Sequence, residues 1–155
     1  MAVDYFLKIQ GVDGESTDEQ FPGAIVLESY SFGVANALSP GHGSGASVGK
    51  ATFTELIVTK RIDKSSPTLL LDCATGKLLP AVQLVSRRSP GGVYLQITLT
   101  NAFVTSFQEA GTHGELPLEQ ISFNYQKLTY AYAPQLATGQ LGTPIQVSVG
   151  NNIKG

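Results

Sequence analysis

Tryptophan is absent, cysteine and methionine occur once each, and only 14% of residues are charged, against about 25% in an ordinary globular chain. A lone thiol, Cys73, forms no internal disulfide, which fits folding in a reducing cytoplasm. No apolar run approaches the roughly 18 residues that a membrane span needs. The start, Met1-Ala2-Val3-Asp4, lacks the basic head and the apolar stretch of about 7 to 15 residues that mark a secretory signal, so export through a cleaved leader is not expected. Ten basic against twelve acidic residues leave a net charge of −2, and the longest basic runs are the pairs Lys60-Arg61 and Arg87-Arg88. That excludes the electropositive face of a nucleic-acid or anionic-membrane binder.

What is present is apolar and uncharged polar residues. Hydrophobic residues make up 42% of the chain, too many for disorder, and 155 residues make one domain spanning 1–155. The surface is kept wet by 13 Ser, 13 Thr, 10 Gln and 5 Asn, a coat that repels copies of itself weakly.

Val3, Tyr5, Leu7 and Ile9 alternate with polar residues, the period of a half-buried strand. A turn-rich segment from Gly11 to Gly23 follows. Between Ile25 and Ala37 the apolar phase shifts: Ile25 and Leu27 share one parity, Tyr30, Phe32 and Val34 the other, which predicts a bulge or a change of packing partner near Glu28. Leu38 to Lys50 holds four glycines and no hydrophobic period, a long excursion of the kind that is usually functional. Further strand patterns lie at Thr52–Ile62, Ala81–Arg87, Val93–Thr100 with a continuation through Phe103–Phe107, Ile121–Tyr132 and Ile145–Val149. One helix is expected, with Ser66 as its cap, Pro67 in the first helical position, apolar contact from Leu69 to Ala74, and Gly76 at its end. The sum is a mainly β fold: a small antiparallel β-barrel of two packed sheets, or a sandwich, with one short helix and a long Gly-rich loop.

Catalytic patterns fail on context. Gly45-Ala46-Ser47-Val48-Gly49 spells a nucleophile elbow but is followed by a strand rather than a helix. Ser44 to Ala51 nearly spells a phosphate loop, yet lacks its first glycine and the final hydroxyl. His42, Cys73 and His113 are too scattered for a metal site, and no cofactor is implied. Cys73 reads as a small core hydrophobe. Glu15 with Asp18 or Glu19, and Glu115 with Glu119, read as solvated surface rather than acid–base pairs. Tyr125, Tyr130 and Tyr132 read as a strand running from core to rim, since no basic groove accompanies them.

With the enzyme patterns set aside, the segments in order resemble the Hcp family, the tube-forming proteins of bacterial type VI secretion. The likeness is carried by Ala2-Val3-Asp4-Tyr5-Phe6-Leu7-Lys8-Ile9, Gly14-Glu15-Ser16, Ser29-Tyr30-Ser31-Phe32-Gly33, Lys60-Arg61-Ile62-Asp63-Lys64-Ser65-Ser66-Pro67, Cys73-Ala74-Thr75-Gly76-Lys77, and Ser122-Phe123 with Tyr130 and Tyr132. It departs in having Tyr30 and Phe32 where tryptophan is frequent, and no tryptophan in Val147–Lys154. The resemblance implies a non-enzymatic subunit forming homohexameric rings that stack into a secreted tube, with sheath, spike and effector proteins as partners. On that reading Ser29, Ser31 and Gly33 line the lumen and meet cargo. The loop Ser39, Pro40, Gly41, His42, Gly43, Ser44, Gly45, Ala46, Ser47, Val48, Gly49 and Lys50 lies across a neighbouring ring. A tail-tube subunit of a phage or related contractile particle, and a small β-barrel hydrolase or ligand-binding module, stand as alternatives.

Overall fold

The computed structural model describes residues 2–37 and 51–150. Ten strands and one helix follow in order: β1 (Ala2–Ile9), β2 (Ile25–Leu27), β3 (Ser29–Ser31), β4 (Val34–Asn36), β5 (Ala51–Phe53), β6 (Leu56–Arg61), α1 (Ser66–Thr75), β7 (Leu79–Ser89), β8 (Gly92–Ala110), β9 (Leu118–Tyr132) and β10 (Ile145–Gly150). All strand pairings are antiparallel, and the main sheet runs β2-β1-β7-β8-β9-β6-β3.

The phase shift at Glu28 marks a change of partner, as the pattern predicts. β2 pairs with β1, whereas β3, one residue later in the same stretch of chain, pairs with β6. The Glu28 N–H already reaches Thr59 O at 2.8 Å. The first and last strands of the sheet are therefore two halves of one strand, and the sheet nearly closes into a barrel. Its interior holds Leu7, Ile25, Leu56, Val58, Leu84, Ile97, Leu99, Ile121 and Phe123, with Tyr125 fully buried and donating its hydroxyl to Thr54 O at 2.8 Å. The tyrosines of β9 run from core to rim: Tyr130 is half-buried and Tyr132 exposed.

Two expectations need correction. The run Thr52–Ile62 is two strands, because β5 pairs with β4 in a separate two-stranded sheet and β6 joins the barrel. Thr54 makes the break: its hydroxyl takes the Gly33 N–H at 2.6 Å and donates back to Gly33 O at 3.1 Å, while its N–H bonds the same carbonyl at 2.9 Å. The expected continuation of Val93–Thr100 through Phe103–Phe107 is present: both lie in one 19-residue strand, in which Asn101 has a φ of 53°, a left-handed conformation that asparagine tolerates. Ser66 is not the helix cap. Ser65 holds that position without a side-chain cap bond, Ser66 is the first helical residue, and Pro67 follows it.

Asp63 performs the cap's task from outside, accepting the Ser65 N–H at 2.9 Å and the Ser65 hydroxyl as well. The helix ends as expected, on a left-handed Gly76 whose N–H bonds Asp72 O. Its leucines divide by face: Leu69 is buried, Leu70 and Leu71 are exposed, and Cys73 packs half-buried against the core.

Candidate functional site

Period-2 alternation sorts the wall formed by β3, β6, β9 and β8 into two faces. One carries Tyr30, Val58, Ile121 and Phe107 in register and belongs to the core. The other carries two rows of partners: Ser29, Thr59, Gln120 and Gln108 in one, Ser31, Ile57, Ser122 and Ser106 in the next. Seven of these eight side chains are hydroxyls or amides, and none is charged. Ser29 and Ser31 thus lie on an exposed strand at the border of a broader uncharged face. Thr59, Gln120 and Ser122 were missed in the sequence, although the same alternation within β6 and β9 marks them; Ser106 and Gln108, on β8, join the face only through the strand register. Gly33 stands apart, past the end of β3 and bracketed by Thr54. The loop Ser39–Lys50 lies outside the described residues; the strands that flank it, β4 and β5, form a small exposed ribbon.

β10 is the second feature. It pairs with the half of β9 that β6 leaves free, at Tyr132 to Lys127, so β9 has β8 along one flank and β6 then β10 along the other. Ile145, Val147 and Val149 continue the rows Leu95–Tyr132, Ile97–Tyr130 and Leu99–Leu128, which are core-facing in the barrel. Nothing covers them among the described residues: Ile145 is 67% and Val147 57% exposed. A strand with a bare apolar face and an open outer edge is an assembly or aggregation surface.

Two charge clusters hold the frame. Lys60 and Glu119, both fully buried, face each other across β6 and β9, with Nζ 2.7 Å from Oε1. Lys60 also reaches Asp63 at 2.8 Å and the Ser66 hydroxyl at 3.0 Å, and that hydroxyl donates to Glu119 at 2.7 Å. The expectation that Glu119 is solvated surface is therefore overturned, whereas Glu115 is exposed. Burial alone would raise the Glu119 carboxyl; the Glu109 carboxyl opposite it on β8 and the hydrogen bonds from Lys60 and Ser66 reverse this and hold it below its ordinary value. Glu109, sharing a hydrogen bond with Glu119, is raised. Apart from one Glu119 oxygen that has no partner, the Lys60, Glu119 and Ser66 side chains fix α1 to the arm formed by β6 and β9, and Ser66 is shut off from any substrate.

At the other cluster Arg87 donates to Asp18 at 2.5 and 2.7 Å and to Asp4 at 3.0 Å, its guanidinium lying over Phe6 and Phe21. This ties the turn-rich Gly11–Gly23 segment to β1 and β7. The Arg87 hydrogen bond holds the Asp18 carboxyl at about 2, against 3.8 for a free one. A depressed carboxyl stabilises the fold above the unfolded value and ceases to do so as pH falls through the folded one. Acid titration of wild type against Asp18→Asn, followed by tyrosine emission, is therefore expected to show a stability difference above pH 4 that shrinks towards pH 2. A constant difference would contradict this.

The chain has counterparts among known proteins. The family model for "Type VI secretion system effector, Hcp" matches residues 6–132. The Pseudomonas aeruginosa protein hcp1 is 38% identical over 143 residues, covering 90% of this chain and 88% of that one.

The chain belongs to the Hcp family.

Solved structures agree with the fold: a type six secretion system protein superposes with a TM-score of 0.90 at 30% identity, covering 96% of each chain. Hcp1 from Salmonella typhimurium gives 0.82 at 30% identity, with 97% of this chain and 95% of that one covered. As an Hcp, the chain is a structural tube protein of type VI secretion and not an enzyme.

Proposed function

We propose that six copies close into a ring through β10 and that the rings stack into a hollow tube. The carrying observation is β10 itself, which offers a hydrogen-bonding edge and an apolar face to a surface elsewhere on an identical copy. One patch meeting a different patch is a heterologous contact, and rotation then closes it after a fixed number of copies. Strand addition supplies directional bonds, and a stable contact of this kind buries at least about 1,200 Å².

On this reading the uncharged face bearing Ser29 and Ser31 lines the lumen, with Gly33 at its border. Hydroxyls and amides there bind effector proteins weakly and release them. The loop from Ser39 to Lys50 reaches the adjacent ring, and sheath and spike proteins are the further partners. The subunit is made in the cytoplasm and leaves with the tube.

Negative-stain microscopy of purified protein tests the assembly: annular particles are expected, and their loss when the chain is cut before Ile145. Rings that persist after that truncation remove β10 from the contact. Ser31→Glu is expected to lower retention of co-purifying cargo severalfold with the ring mass unchanged, and deletion of Gly41–Gly49 to abolish stacking while single rings remain. Unaltered retention or stacking would remove the corresponding role.

A further inference from the structure

The end of the barrel beside the turn at residues 89–92 differs from the rest of its interior. Register places Tyr5 opposite Ser86 and Val3 opposite Arg88, on the face that further along carries Leu7 and Leu84. The Ser86 hydroxyl lies 2.6 Å from the Tyr94 hydroxyl, and the Tyr5 and Tyr30 rings meet edge to face at 5.3 Å. The Arg88 guanidinium lies over the Tyr94 ring, 4.8 Å from its centre. Among the described residues, neither Nε nor Nη2 of Arg88 has an acceptor, although both are closed off from solvent. Arg87 next to it bonds Asp4, Asp18 and Gln20 through both terminal nitrogens, leaving only Nε unfilled.

A guanidinium donor removed from water without an acceptor carries its desolvation cost uncompensated, so a conformation that fills it is favoured. Nε and Nη2 share one edge of the planar group. Their two N–H bonds run parallel and match the paired oxygens of a carboxylate or phosphate. Both arginines, Asp18, Glu19 and the turn also line a cleft of about 450 Å³. Asp18 is occupied by Arg87, so Glu19 is the one carboxylate of the cleft without an ion pair among the described residues. The turn places no side chain over the Arg88 stem: a Cβ on Gly91 would already stand 3.8 Å from Arg88 Cγ.

We propose that Arg88 is an oxyanion-binding site, turning off Tyr94 into this cleft and closing its Nε–Nη2 edge on a carboxylate or phosphate. The group is supplied either by a free ion or by an Asp or Glu side chain of a second copy of this chain. The chain has no tryptophan, so tyrosine emission reports Arg88 leaving Tyr94.

Titrating the whole protein with phosphate, and separately with acetate, at constant ionic strength is expected to change that emission saturably and raise the melting temperature. Arg88→Gln is expected to abolish the response, and Arg88→Lys, which keeps the charge but lacks the fork, to weaken it tenfold or more. Sedimentation equilibrium separates the sources. If a second copy supplies the group, Arg88→Gln weakens self-association tenfold or more and millimolar phosphate competes in the wild type. If a free ion does, association is the same in both. Wild type, Arg88→Lys and Arg88→Gln that respond alike to both anions and associate alike would overturn the proposal.

Discussion

Lys60→Met is expected to lower stability by about 3–5 kcal/mol, the cost of leaving a buried charge without its partner. The ammonium is the hub of four interactions: Glu119 at 2.7 Å, Asp63 at 2.8 Å, Ser66 Oγ at 3.0 Å and Arg61 O at 3.3 Å. Without it the Glu119 carboxylate keeps only the Ser66 hydroxyl as a side-chain donor, inside a fully buried site where its other oxygen already lacks a partner. The double variant Lys60→Met with Glu119→Leu is expected to recover most of the loss, because it removes both charges and fills the space. Urea unfolding decides: the midpoint should fall in the single variant, recover in the double, and the slope should change in neither. Equal losses in single and double variants would mean that the pair stabilises by packing alone. Because Ser66 opens α1, the single variant should also loosen the helix before the barrel, visible as faster amide exchange over residues 66–75.

The frame was legible where one stretch of chain determines the outcome. Alternation in Tyr5–Ile9 fixed a strand with one buried face, the parity shift at Glu28 located the partner change that nearly closes the barrel, and Gly76 sits in the left-handed position its place after Cys73-Ala74 suggests. What escaped depends on segments distant in sequence. Glu119 looks like surface because it follows the polar run Gly111–Glu115, and only the β6–β9 register sets it against Lys60. Ser66 passes for a cap because serine before proline is a good one, but its hydroxyl is taken by the same pair. Thr52–Ile62 reads as unbroken because threonine suits a strand, and the break comes from Thr54 spending its hydroxyl on Gly33. Of the uncharged face, Ser29 and Ser31 could be picked out within one strand, whereas the rows reaching Gln108 and Ser106 exist only once four strands are aligned.

Gly14→Ala is the other substitution with a large expected effect, about 3 kcal/mol, the upper end of what overpacking costs. The reason is proximity rather than backbone freedom. A Cβ there would stand 2.5 Å from both Ala24 O and Ile25 Cα and 2.7 Å from Ile25 N, and these are backbone atoms that no rotamer change can move away. The two segments are laced by Gly14 N–H to Gly23 O at 2.8 Å, Ser16 N–H to Ala24 O at 3.0 Å and Gly23 N–H to Ser16 O at 2.8 Å, so they cannot part without losing that ladder. Gly11 is the contrasting control: a Cβ meets nothing within 4 Å, but its φ of +81° strains any other residue. Gly11→Ala should therefore cost only about 1 kcal/mol. The displaced residue in Gly14→Ala is Ile25, fully buried and the first residue of β2, and β2 runs directly into the strand carrying Ser29 and Ser31. A variant that still folds at low temperature should therefore show the defect at this seam, with amide exchange accelerated across residues 25–31 while β7, β8 and β9 stay protected. Denaturation midpoints of the two glycine variants that coincide would refute the close-approach account.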